Sequence, residues 1–196
     1  MKIDDKDKKA WLAKGLFLNV LGKFEEAISC FHQAIDINNA CESAWIGMGH
    51  ALRELKKYDD ALSCFDKALY LNARNEYTWF DKGEIYQICK DYDEAIYYFD
   101  NALQLNPEFE KALIQKAKIL GDLERYREAI TCYSMILTLD PTNDYYHYLT
   151  SLAYAIEEDY FEAKKYAERA LELNPDSNEI RKLNENLQNL LENNDE

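Results

Sequence analysis

From Glu76 to Lys90, apolar and aromatic residues recur at Trp79, Phe80, Ile85, Tyr86 and Ile88, with polar and charged residues between them. Asp91 interrupts this run, and a second starts at Tyr92, carrying Ala95, Ile96, Phe99, Ala102 and Leu103. Both segments follow a period of about 3.6 residues and neither alternates as a strand does, so the pattern predicts two amphipathic helices. Asn106-Pro107 stops the second, because proline disfavours helical dihedrals in the residue before it and can open the next element at its first turn.

The pair recurs along the chain. From Ala27, steps of 34 residues reach Ala61, Ala95, Ala129 and Ala163; from Phe24 they reach Tyr58, Tyr92, Tyr126 and Tyr160. From Gly15 they reach Gly49, Gly83, Ala117 and Ser151, all small, and from Ala34 they reach Ala68, Ala102, Ile136 and Ala170. The three prolines, Pro107, Pro141 and Pro175, fall in one column of the same register. The predicted organisation is a leader (1–7), five repeats (8–41, 42–75, 76–109, 110–143, 144–177), a capping helix (178–191) and a frayed tail (192–196). In the capping segment Ile180, Leu183, Leu187, Leu190 and Leu191 form one stripe, with Asp176 or Ser177 as its N-cap.

Residue size along the repeat has a packing reason. Two helices joined by a short turn approach closely only where side chains are small, which the Gly15 and Ala27 columns are expected to supply to each other. The Trp11/Trp45/Trp79 and Phe31/Phe65/Phe99/Tyr133 columns then fill the space between helices with rings. No single repeat can bury its own apolar face, so neighbours must stack. The predicted fold class is all-α: an α-solenoid.

Trp79, Gly83, Tyr86, Tyr92, Ala95, Phe99, Ala102 and Pro107 of the third repeat resemble the tetratricopeptide repeat (TPR), over residues 8–177. The departures are local: His147 replaces the first aromatic in repeat five, Ala167 replaces the Phe column, and Asn39 and Ala73 replace the closing proline. The resemblance implies a right-handed superhelix of antiparallel helix pairs whose first helices line a concave groove, and a non-catalytic protein–protein interaction module.

Composition narrows the function. With 37 acidic and 23 basic residues the net charge is −14, which opposes binding to phosphate backbones or anionic membranes. Neither nucleic acid nor membrane is therefore an expected partner. The N-terminal residues have no apolar signal segment, no run approaches the length of a membrane span, and five cysteines lack CxxC spacing. A cytoplasmic location with reduced thiols is expected. No phosphate loop, metal-ligand spacing or nucleophile–base constellation occurs, so neither catalysis nor a cofactor or metal is expected.

On the first helix of each repeat, positions 2, 5, 9 and 12 share one face. With positions 6 and 13, that face lines the groove in proteins similar to this one. It holds Leu12, Leu16, Ile46, His50 and Arg53, then Tyr77, Phe80, Asp81 and Glu84. It continues with Lys111, Ile114, Gln115, Lys118, Gly121 and Asp122, then Tyr145, Tyr148, Leu149 and Leu152. Apolar residues with no packing duty suggest a contact surface, so Phe80, Ile114, Tyr145 and Tyr148 are expected to anchor a peptide segment of a partner protein. The TPR clamp for acidic carboxyl-terminal tails needs Lys and Asn where this chain has Leu12, Leu16 and Gly47, so such a tail is not the expected ligand. The alternative is a self-assembling scaffold, a homo-oligomer formed through the open repeat ends.

Overall fold

The computed structural model describes residues 5–194. All the regular structure there is helical, with no strand among the described residues. The chain divides into two compact units at Asn106/Pro107. The first holds α1 (Asp5–Val20), α2 (Phe24–Ile37), α3 (Glu42–Glu54), α4 (Tyr58–Leu71), α5 (Glu76–Ile88) and α6 (Tyr92–Leu105). The second holds α7 (Glu110–Asp122), α8 (Tyr126–Leu139), α9 (Asp144–Ile156), α10 (Tyr160–Leu173) and α11 (Asn178–Asn194). Two boundaries are corrected: α1 begins at Asp5, inside the expected leader, and α11 runs to Asn194, past the expected start of the frayed tail. Residues 1–4 and 195–196 of those segments lie outside the described residues.

One turn closes every helix pair. Its third-from-last carbonyl accepts the amide five residues on, as in Lys23 N to Leu18 O (2.9 Å), Lys57 N to Leu52 O (2.9 Å) and Arg125 N to Leu120 O (2.8 Å). The residue between is left-handed: Gly22 at φ 72°, then Lys56, Lys90, Glu124 and Glu158 at φ 59–63°. This is a Schellman closure, which satisfies carbonyls orphaned at the helix end.

Phe31, Phe65 and Phe99 are fully buried, and glycine makes room for them. A Cβ on Gly15, Gly49 or Gly83 would stand 2.7, 2.6 or 2.5 Å from the ring of the same repeat. The Gly15 column therefore receives a phenyl ring of the second helix in these repeats. Gly47, in the next repeat, also receives Phe31, so that ring lies between two glycines. In the second unit the exchange of sizes continues. Ala167 replaces the ring and Ser151 replaces the glycine, its Oγ donating to the Ala163 carbonyl (2.7 Å). Helix α11 covers Ala163 and Ala167 with Leu187 and Leu183, and Ser177 caps it by accepting from Ile180 N (3.4 Å).

Candidate functional site

In the first unit the expected groove residues divide by depth. Leu16 and Tyr77 are exposed at 45% and 60%, whereas Leu12 and Ile46 pack against the core. Phe80 is only 8% exposed, its ring centroid 5.4 Å from that of Phe99. This corrects the expectation of a free anchor: Gly83, one turn on, brings α5 so close to Phe99 that Phe80 becomes a core side chain. The charged residues answer one another. His50 Nε2 lies 2.7 Å from Asp81 Oδ2, and Arg53 Nη1 lies 2.7 Å from Glu84 Oε2 and 3.5 Å from Asp81 Oδ1. The His50 ring meets Phe65 edge-on at 5.5 Å. Burial raises the Glu84 pKa; the Arg53 guanidinium opposes that shift and the Asp81 carboxylate adds to it. Asp81 is buried too, so the space between α3 and α5 is closed by the chain's own ion pairs.

Helices α7 and α9 repeat α3 and α5 in register, but the paired groups are gone. Lys118 stands for His50, Gly121 for Arg53, Leu149 for Asp81 and Leu152 for Glu84. With no arginine arm to fill the space, a cleft of about 470 Å³ opens, lined by Ile114, Lys118, Gly121, Asp122, Tyr133, Tyr145, Tyr146 and Leu149. Tyr145 is 58% exposed at the rim, its ring 5.5 Å from Tyr146, which lies 6.0 Å from Tyr133. The Tyr133 hydroxyl would stand 3.6 Å from a Cβ on Gly121. Burial pushes its pKa up to about 12, and Tyr145 adds to the shift. Such a cleft can take an apolar or aromatic side chain against tyrosine faces, with Lys118 and Asp122 offering charge of either sign.

Of the residues expected in this unit, Ile114, Lys118, Gly121, Asp122, Tyr145 and Leu149 come together at the cleft. Lys111 is exposed, and Gln115, Tyr148 and Leu152 are half-buried outside its lining. The sequence reading missed Tyr146 and placed Tyr133 only in the core. The available signal was a lone hydroxyl in a column otherwise made of Phe31, Phe65, Phe99 and Ala167, on the helix that follows a groove glycine. Among the described residues no cluster of His, Cys, Asp and Glu could hold a metal ion, and no helix is long and apolar enough to cross a membrane.

Family models for the tetratricopeptide repeat match residues 8–41, 43–75, 76–109, 110–143 and 144–177. No curated protein matches the chain. Among solved structures, MamA superposes with a TM-score of 0.73 at 18% identity, over 87% of this chain and 93% of that one. YrrB, described as a TPR protein with an unusual peptide-binding site, gives 0.69 at 21% identity, over 88% and 89%. PilF of Pseudomonas aeruginosa gives 0.66 at 19% identity, over 97% and 87%. At these identities the likeness is one of fold.

Proposed function

The chain belongs to the tetratricopeptide repeat family, and from that premise we propose that it is a non-catalytic interaction module. It holds a peptide segment of a partner protein against the groove face of its first helices. The observation that carries this reading is the cleft between α7 and α9, open where the matching space between α3 and α5 is filled by Arg53, His50, Asp81 and Glu84. A partner inserts an apolar side chain between Ile114 and Tyr145, and Lys118 and Asp122 set its orientation more than its affinity. YrrB offers a precedent in the same fold for peptide binding.

The test is selection from a random peptide display library on the wild-type chain, followed by calorimetry of the enriched peptides. Truncating Tyr145 and Ile114 to Ala should weaken them at least tenfold, as buried aromatic and aliphatic anchors do. Enriched peptides that bind the double variant as tightly as wild type would place recognition elsewhere on the chain.

A further inference from the structure

Among the described residues, no helix packs on the face of α1 that matches the one α3, α5, α9 and α11 each present to the second helix before them. Within the units, α2 packs on α3, α4 on α5, α8 on α9 and α10 on α11, so these second helices each cover the first helix of the next repeat. In the column that this contact buries, Ala51 and Ile85 are 0% exposed and Ala153 and Leu187 are 1% exposed. Phe17, the member of that column on α1, is 62% exposed. Two more columns agree: Ala10 is exposed where Ala44 and Thr78 are fully buried, and Lys14 is exposed where Met48 and Lys82 are buried. Ala10, Lys14 and Phe17, spaced four and three apart, share one face, and Leu21 extends it at 54% exposure.

The chain itself shows what fits there. Lys82, in the Lys14 column, donates from Nζ to Asp66 of α4 and to the Tyr98 hydroxyl. The covering helix α4 thus supplies both an apolar stripe and an acid placed to receive the lysine. On α1 the lysine is present and its acid is missing; Lys14 lies instead over the Trp11 ring at 5.3 Å. The far end of the array differs. On α11 the column that receives a phenyl ring elsewhere, Gly15, Gly49 and Gly83, holds Glu185.

We propose that the outer face of α1 is a second docking surface, distinct from the groove, whose occupant is an acidic amphipathic helix of a partner protein. That helix has the pattern of α4: small and aromatic residues on one stripe, with an acid in the Asp66 position to pair with Lys14. Phe17 and Leu21 supply the apolar contact, and the lysine sets register.

The probe is a synthetic, end-capped peptide with the sequence of residues 58–71, titrated against the full chain and followed by fluorescence anisotropy. The wild-type chain should bind it, and Phe17→Asp should weaken binding at least tenfold with an unchanged thermal melt, since Phe17 is exposed in the free chain. Lys14→Glu should also weaken it, and a peptide carrying Asp66→Lys should recover most of that loss, a charge swap that general stickiness cannot mimic. Tyr145→Ala should leave this peptide unaffected, which separates the result from the groove reading. Binding absent up to about 1 mM peptide, or insensitive to Phe17→Asp, overturns the proposal. A concentration-dependent dimer that Phe17→Asp abolishes, without peptide binding, assigns the face to a second copy and overturns it too.

Discussion

Arg181 donates from Nη2 to the Pro175 carbonyl at 2.7 Å, six residues back in the chain. Trp45 makes the same contact to the Asn39 carbonyl and Trp79 to the Ala73 carbonyl, each at 2.9 Å from Nε1. His147 Nε2 lies 3.1 Å from the Pro141 carbonyl, which requires the hydrogen on Nε2. Three kinds of side chain in one column fasten the linker between repeats to the helix that follows. Leu113, the member of the column in the fourth repeat, has no donor and is buried instead.

Arg181→Ala should therefore loosen the start of α11 and cost about 0.5–1 kcal/mol, the net worth of a partly exposed hydrogen bond. Arg181→Trp should retain most of that stability. Urea midpoints of the three proteins check the ordering; a midpoint for Arg181→Ala equal to wild type would mean that water replaces the contact without loss.

A second expectation sets two backbone sites against each other. Gly83→Ala places a Cβ 2.5 Å from Phe99, whose ring is fully buried and has nowhere to go. Overpacking should outweigh the better helix propensity of alanine and cost about 1–2 kcal/mol. Glu124→Gly relieves a left-handed residue at φ 59° and should add about 0.5 kcal/mol after the unfolded-state entropy of glycine is subtracted. Thermal melts moving in opposite directions are the expected outcome.

The 34-residue columns made the architecture legible, because packing between stacked repeats constrains residue size at the same position each time. Depth within the groove was another matter. Tyr77 and Phe80 lie on one helix face, yet one is 60% exposed and the other 8%, because the approach of α5 to Phe99 is set by Gly83 on another face. The ion pairs were hidden for a related reason. His50 and Asp81, like Arg53 and Glu84, lie one repeat less one turn apart, an offset that matters only once two first helices are side by side. Tyr133 was read as core and is core, but its hydroxyl also reaches the cleft.

The Glu84 carboxyl gives a pH signature. Its folded pKa lies above the unfolded value, chiefly through burial, so in that window the folded chain binds more protons than the unfolded one. The contribution of Glu84 is then favourable at low pH and declines as pH rises through the unfolded and then the folded pKa. Glu84→Gln removes this dependence. Relative to wild type, the variant should gain stability as pH is raised from about 4 to 7, read from urea midpoints across that range. A stability difference independent of pH would show that Arg53 already cancels the burial penalty.

The two units also define a graft that tests the open cleft directly. A Cβ at Gly121 would meet only the Tyr133 hydroxyl, at an ordinary contact distance of 3.6 Å, so a larger side chain is tolerated there. Replacing a helical glycine should even add about 0.5–1 kcal/mol through helix propensity. Gly121→Arg with Leu152→Glu copies the Arg53–Glu84 pair into α7 and α9, since both positions match in register. The arginine arm should then occupy the space between Ile114, Tyr145 and Leu149 as Arg53 occupies its counterpart. We expect helical content and melting temperature at or above those of wild type, with the affinity of groove-selected peptides reduced at least tenfold. Gly121→Ala, which narrows the cleft without filling it, should fall between. Undiminished peptide affinity in a well-folded graft would show that recognition does not use this cleft, whatever the other first helices contribute.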